Sequence, residues 1–146
     1  MKTRHYNLEG SLGYIVGLAR RALLNRLNQD FEKAGHHVTC EQLGVLVSLR
    51  QKDGQNQNEL ASYTCKDKTS IARLIDGMEK RGLVVRTLDK KDGRCKLIYL
   101  THKGKELQRK LIPMIKGAIE DTQQGVKPGD LKVCKDVLKR VTRNLG

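Results

Sequence analysis

An Asp-Gly pair at positions 92 and 93 is the feature that most restricts the fold of this chain. It lies between two short apolar segments, residues 83–85 and 97–100, rich in leucine and in β-branched or aromatic side chains. A two-residue type I′ turn requires a positive φ at both central residues, and Asp-Gly meets that requirement well. The pattern therefore predicts a β-hairpin that turns at Asp92 and Gly93.

The segments before this hairpin carry the start and stop signals of short helices. Two open with the spacing of a capping box, Thr39 with Gln42 and Asn56 with Glu59. Asp67 can cap a third helix that stops at Gly82. Its apolar stripe consists of Ile71, Leu74, Ile75 and Met78. We therefore predict a helix-turn-helix followed directly by a β-hairpin wing.

Long amphipathic segments flank this region on both sides. Apolar residues recur at three- and four-residue spacing from Leu8 up to a stop at Gly35. After the hairpin, Thr101 can cap a helix in which Pro113 predicts a kink, and Pro128 suits the first turn of a last helix. The predicted fold class is therefore mainly α with a small β-hairpin wing. Because only 3% of the residues are aromatic and these helices are apolar on one stripe only, we expect further burial between the subunits of a homodimer.

The charge of the chain favours a polyanionic partner. Its 29 lysines and arginines against 16 acidic residues leave a net charge of +13. Residues 66–110 alone hold 14 basic and 6 acidic side chains, so more than half of the excess lies in under a third of the chain. Around the hairpin tip the basic residues are Lys90, Lys91, Arg94 and Lys96. A helix pair followed by a basic hairpin is how winged-helix proteins grip double-stranded DNA.

The start of the third short helix holds the candidate base-reading residues. Thr69, Ser70 and Arg73 occupy its first turns, where helix-turn-helix proteins touch base edges, and arginine is well suited to guanine. Either hydroxyl could equally serve the helix cap. Lys66 and Lys68 are expected on phosphates.

Several of these motifs resemble the MarR family of bacterial transcriptional regulators. The residues that carry the resemblance are Glu59-Leu60-Ala61, the helix from Asp67 through residues 77–84, Arg86, Asp92-x-Arg94, and Leu100-Thr101-x-x-Gly104. The resemblance covers nearly the whole chain, and the wing spacing is its most specific part. It implies a single domain over residues 1–146, with a winged helix-turn-helix over about 39–104 and dimerisation helices over about 8–35 and 105–146.

The resemblance also implies a function. MarR-like proteins are homodimers that bind a pseudo-palindromic operator, usually as repressors. The arginine matching Arg94 would reach the minor groove with Asp92 orienting it, although both could be ordinary turn residues; Arg86 joins the expected DNA contacts. Members often bind small aromatic anions between their dimerisation and DNA-binding regions. Such an effector is therefore an expected partner, and Tyr14 is a candidate wall of its site.

Other function classes fit the sequence less well. Charge alone would also suit a basic RNA-binding or ribosome-associated protein, but the chain lacks the aromatic platform of single-strand RNA readers. Cys65 and Cys95 lie in basic surroundings, which leaves a thiol-based redox-sensing regulator open. His36 and His37 lie near Cys40, but their spacing fits no standard zinc pattern.

No motif of an enzyme is present, neither a glycine-rich phosphate loop nor a nucleophile elbow nor H-E-x-x-H. We therefore expect no enzymatic activity, metal or cofactor. No apolar run approaches the roughly 18 residues of a membrane span, and no signal peptide precedes the first helix. We expect a cytoplasmic protein with no membrane partner.

Overall fold

A computed structural model describes residues 7–146 of the chain. These residues form α1 (Leu12–Lys33), α2 (Cys40–Gln51), α3 (Gln57–Thr64), α4 (Lys68–Lys80), β1 (Val84–Leu88), β2 (Lys96–Leu100), α5 (His102–Thr122) and α6 (Pro128–Leu145). The two strands pair antiparallel as a hairpin between α4 and α5. The expected fold class, mainly α with a small β-hairpin wing, is confirmed.

The helices begin and end where local side-chain chemistry predicts. Thr39 and Gln42 form the reciprocal capping box that opens α2. Thr101 Oγ1 accepts a hydrogen bond from the Gly104 amide at 3.0 Å and so caps α5. Gly82, with φ of 72°, terminates α4 in the left-handed conformation that glycine adopts without steric cost. Local capping therefore fixes the limits of the helix-turn-helix.

The start of the first long helix differs from the sequence prediction. Leu8–Gly10 forms a separate 3₁₀ turn, and the Ser11 hydroxyl accepts a hydrogen bond from the Tyr14 amide at the start of α1. The prediction of one helix beginning at Leu8 is therefore wrong, because Ser11 takes an extended conformation and restarts the chain. Helix α5 continues on both sides of Pro113, and the kink there stays a prediction.

The hairpin turns differently from the predicted two-residue type I′ turn. The last strand pair is Leu88 with Lys96, so the loop spans residues 89–95, and Gly93 has no positive φ. Asp92 Oδ1 accepts a hydrogen bond from the Arg94 amide at 3.0 Å, and the Cys95 amide donates to the Asp92 carbonyl at 3.0 Å. Asp92 therefore opens a turn inside a longer loop, because its carboxylate bonds to the backbone ahead of it.

The core lies where α2, α3, α4, α5 and the hairpin meet the second half of α1. Its largest fully buried side chains include Phe31, Leu46, Leu49, Leu60, Ile71, Ile75, Met78, Ile98 and Leu111. Gln55 adds an isolated bridge to Ile98, which joins the α2–α3 connection to the wing. Within residues 7–146, no helix combines the length and the apolar character needed to cross a bilayer.

Helix α6 and the first half of α1 stand outside this core. No residue of α6 is buried, and Val133 and Val137 are 61% and 47% exposed. Cys134, which its apolar neighbours suggest is a small core residue, is also exposed. On α1 and the turn before it, the exposed apolar residues are Leu8, Leu12, Tyr14, Ile15, Val16 and Leu18. These faces are apolar surface that the rest of residues 7–146 leaves uncovered.

Candidate nucleic-acid interface

The first turn of α4 is held by an aspartate cap. Asp67 accepts hydrogen bonds from the Ser70 amide at 2.8 Å and from the Ser70 hydroxyl at 2.9 Å. These bonds favour the charged carboxylate and hold the pKa of Asp67 below its ordinary value. The Ser70 hydroxyl proton is committed to this cap, so only the lone pairs of that oxygen remain for an outside donor.

Helix α4 presents one polar side to the exterior. Ile71, Ile75 and Met78 are fully buried against the core. Lys68, Thr69 and Arg73 are exposed, and Thr69 and Arg73 fall four residues apart on one face of the first two turns. Their side chains are therefore available to a partner that contacts the start of α4.

Lys66 has an intramolecular partner. Its Nζ lies 2.7 Å from Glu41 Oε1, an ion pair between the turn before α4 and the first turn of α2. Cys65 precedes it in the left-handed conformation, with φ of 55° and ψ of 37°, and is exposed. Cys95 is half-buried, and all four cysteines are free thiols.

Arg86 is the predicted DNA contact whose position differs most from the expectation. Its guanidinium lies 2.7 Å from Asp76 and 3.2 Å from Glu79, both on α4, and donates to Gln57 Oε1 of α3 at 3.1 Å. Only 15% of the side chain is exposed. Arg86 joins β1 of the wing to α3 and α4, and its contact with DNA stays a prediction. Its partners lie up to 29 residues away, so no local signal identifies them.

The hairpin tip carries the remaining predicted residues. Lys90, Lys91, Arg94 and Lys96 are all exposed. Asp92 bonds to the Arg94 amide, and among residues 7–146 it forms no ion pair with the Arg94 guanidinium. Asp92 thus shapes the backbone that carries Arg94, and the Arg94 residue is exposed.

These observations define the candidate interface as two exposed parts of the region from α2 to β2, which we call the lobe. The first is the start of α4, with Lys68, Thr69 and Arg73. The second is the hairpin tip, with Lys90, Lys91, Arg94 and Lys96. Arg86 connects β1 to α3 and α4 and so fixes the wing relative to the helix. Such an arrangement can place a helix in a groove and a basic hairpin on the adjoining backbone of a duplex.

An apolar cavity of about 330 Å³ lies between α2 and α5. Its walls are mainly Leu43, Leu46, Val47, Leu111, Ile112, Ile115 and Ile119. Arg50 and Lys116 add two cationic side chains to this lining. Tyr14 does not line it and is half-exposed on α1. Sequence reasoning missed the cavity because its two walls are about 60 residues apart in the chain and each looks like an ordinary core stripe.

Comparison with known proteins agrees with the geometry. The family model of the MarR family matches residues 38–96, which run from just before α2 to the first residue of β2. An HTH-type transcriptional regulator of Bacillus cereus is 32% identical over 107 residues, covering 73% of this chain and 70% of that protein. The transcriptional repressor MprA of Escherichia coli K12 is 25% identical over 123 residues, covering 84% of this chain and 68% of MprA.

Solved structures match the whole fold. CouR from Rhodococcus jostii RHA1, bound to p-coumaroyl-CoA, superimposes with a TM-score of 0.80 at 28% identity, covering 91% of this chain and 92% of CouR. The repressor CouR bound to a 23-mer DNA duplex superimposes with a TM-score of 0.76 at 24% identity, covering 95% of each chain. The similarity thus extends over both the compact lobe and the terminal helices.

Proposed function

Because the chain belongs to the MarR family of transcriptional regulators, we propose that it is a homodimeric repressor that binds a pseudo-palindromic operator and is released by a small ligand. The observation that carries the proposal is the exposed side of α4, where Thr69 and Arg73 stand free on a helix whose opposite side is buried. The family and the relatives named above are regulators of transcription, not enzymes.

In this proposal α4 is the recognition helix. Arg73 reads base edges, because a guanidinium can donate two parallel hydrogen bonds to guanine. Thr69 adds a second contact in the same groove, while Lys68 and the lysines of the hairpin tip neutralise phosphates. Arg94 enters the adjacent minor groove, where a narrow A·T tract concentrates negative potential. CouR on its 23-mer duplex supports the choice of double-stranded DNA as the partner.

The second copy of the chain covers the exposed apolar faces of α1 and α6. Val133 and Val137 leave a continuous apolar strip on α6, and Ile15 and Leu18 do the same on α1. Contact between water and these apolar strips is unfavourable, and a two-fold symmetric dimer buries the strips of α1 and α6 together. Two recognition helices then face successive major grooves about one helical turn apart.

The effector occupies the cavity between α2 and α5. Its aliphatic walls suit an aromatic ring, and Arg50 and Lys116 supply the positive charge that would hold an acid group. CouR bound to p-coumaroyl-CoA supports a small-molecule ligand for the fold. Tyr14 does not line this cavity within one chain, and its contact with an effector stays a prediction. A ligand releases DNA only if it binds the DNA-incompetent arrangement more tightly.

One experiment tests the DNA-binding part. Genomic duplex fragments retained by the protein at moderate salt are sequenced, and a fluorescent copy of the recovered site is titrated with wild type and with Arg73→Ala. We expect Arg73→Ala to weaken binding by about 1–3 kcal/mol and to relax base preference. Lys139→Ala on α6 removes the same charge as a control and should retain full preference. Equal binding of an RNA hairpin of the same length would contradict the proposal and favour an RNA-binding protein.

A second experiment tests the effector. Salicylate and related aromatic acids are titrated into the protein–operator complex while release is followed by anisotropy, and Arg50→Ala and Lys116→Ala should each raise the half-maximal concentration. Lys105→Ala on the same helix serves as control. Hydrogen peroxide forms a parallel arm. Release by peroxide that is lost in Cys65→Ser or Cys95→Ser, without response to any acid, would replace the ligand mechanism with a thiol one.

A further inference from the structure

A second cavity of about 240 Å³, lined by several charged side chains and open on one side, lies at the far end of α4. It is bounded by the loop after α1, the residues that end α4 and the first turns of α5. The titratable side chains in its lining are His36, His37, Arg81, Lys103, Glu106 and Lys110. It shares none of its lining with the apolar cavity between α2 and α5.

The charges around this cavity are unbalanced. Arg81, Lys103 and Lys110 are cationic, and Glu106 is the one carboxylate in the lining. Glu106 is itself ion-paired with Arg109, so its charge is already compensated. Among residues 7–146, none of the three cations of the lining forms an ion pair. Three like charges around one small cavity repel one another, and a bound anion would reverse that repulsion.

Two of the three cationic donors, Lys103 and Arg81, are also held in place by hydrogen bonds. Lys103 Nζ donates to the Arg81 carbonyl at 2.8 Å, which ties α5 to the end of α4. Arg81 Nη1 donates to Gln42 Oε1 at 3.0 Å, which leaves the other donors of the guanidinium available. An ammonium group has three donors, so Lys103 also keeps two. Pre-positioned donors lose little side-chain freedom when they bind an oxyanion.

DNA does not account for this cluster. Arg81 follows Thr69 by 12 residues, which corresponds to about 18 Å along the helix axis from the base-reading turn. The lining residues lie at the end of α4 and on α5, and none belongs to the exposed face of the α4 start or to the hairpin tip.

From this geometry we infer that the cavity binds a small multivalent oxyanion, such as inorganic phosphate or a short polycarboxylate. The anion accepts hydrogen bonds from Arg81, Lys103 and Lys110, with the imidazoles of His36 and His37 at its edge. It thereby joins the loop after α1 to the end of α4 and the start of α5. The inference is independent of the proposed effector, because the two cavities have different walls.

Calorimetric titration of the full chain with inorganic phosphate and with citrate, at constant ionic strength, tests this inference. Acetate, with a single charge, is the reference anion. We expect saturable 1:1 binding of phosphate or citrate, with the tighter of the two identifying the ligand class. Lys103→Gln and Lys110→Gln should each weaken it by about tenfold, the loss of one charge-assisted hydrogen bond. Lys105→Gln, which removes the same charge on the same helix outside the cavity, should leave the affinity unchanged.

Amide chemical shifts locate the bound anion without a substitution, so this measurement does not depend on a variant that could misfold. With wild-type protein, phosphate should shift the resonances of residues 35–37, 81–83 and 103–110 and leave those of the hairpin tip in place. No saturable binding, equal losses in Lys105→Gln, or shifts centred on residues 89–96 would overturn the inference. Operator binding could survive each of these results, so failure here is distinguishable from failure of the proposed function.

Discussion

The lobe from α2 to β2 and the terminal helices differ in how completely they bury their apolar side chains. In the lobe, Leu46, Leu60, Ile75 and Ile98 come from four different elements and are each fully buried by the same chain. Helix α6 buries no residue, although it carries Val133 and Val137. Within residues 7–146, the lobe therefore closes its core together with the second half of α1 and with α5, whereas α6 and the first half of α1 leave apolar surface uncovered. In the proposed function, this difference separates the part that contacts DNA from the part that sets the distance between two such contacts.

The largest expected effect comes from placing a charge on the uncovered face. Val137→Glu puts a carboxylate into the proposed subunit interface and should give a monomer by light scattering. Because two half-sites would no longer bind together, operator affinity should fall by about 10²- to 10⁴-fold. The lobe should stay folded by circular dichroism.

Lys139→Glu provides the control on the polar side of α6. It changes the charge by more than Val137→Glu does, yet it should leave the dimer intact. If Val137→Glu is still a dimer, or if Lys139→Glu dissociates as readily, the uncovered face is not the subunit interface.

Substitutions in the lobe should separate affinity from sequence preference. Arg94→Ala should cost about 1–3 kcal/mol, mostly at operators with A·T-rich flanks, because a narrow minor groove attracts arginine. Lys91→Ala should weaken all duplexes alike. The wild-type log affinity should fall with log salt concentration at a slope of about −6 to −10. An equal loss for Arg94→Ala on every flank would remove the minor-groove assignment.

Packing at the junction of lobe and α5 should respond to a single methyl group. A Cβ on Gly104 would collide with the Leu83 carbonyl oxygen, so Gly104→Ala should lower the free energy of unfolding by about 1–3 kcal/mol. Gly117 lies in the same helix with no atom within 4 Å of its added Cβ, and Gly117→Ala should instead stabilise by roughly 0.5–1 kcal/mol. Denaturant unfolding measures both. If Gly104→Ala and Gly117→Ala change the free energy of unfolding in the same direction, the close approach of Gly104 to the Leu83 carbonyl oxygen is contradicted.

The smallest expected effect concerns the cap of α4. Hydrogen bonds from Ser70 depress the pKa of Asp67, so the charged cap stabilises the lobe above the unfolded pKa of about 3.9 and loses this as pH falls through the folded value. Asp67→Asn keeps the cap without a titrating group. The Tm advantage of wild type over this variant should therefore shrink on acidification below about pH 4. A pH-independent difference would indicate that the cap does not titrate with folding.

The same contrast explains how much could be predicted from the sequence. The caps at Thr39, Asp67 and Thr101 were predictable because each donor and acceptor lies within four residues. The hairpin was predictable, but its turn was not. The pairing of Leu88 with Lys96 leaves seven residues in the loop. The chain turns within this loop at Asp92, whose carboxylate accepts a hydrogen bond from the Arg94 amide.

Residues whose partners are distant in the chain were harder to interpret. The family resemblance placed Arg86 among the expected DNA contacts, but it did not reveal the partners that Arg86 has on α3 and α4. The phosphate contact expected of Lys66 stays a prediction, and its ion pair with Glu41 of α2 was not visible in the local sequence. Each cavity is formed by elements that are distant in the sequence and meet only in the folded chain, so a local sequence pattern cannot predict either cavity.

Operator spacing tests the central claim most directly, namely that two compact lobes are held at a fixed distance by the terminal helices. Duplexes with the two recovered half-sites at increasing separation are titrated with the wild-type protein. The account predicts one dimer per duplex and an affinity that peaks at a separation of about 10 base pairs and drops when half a turn is inserted. A monomer in solution that binds an isolated half-site as tightly as any pair would contradict it.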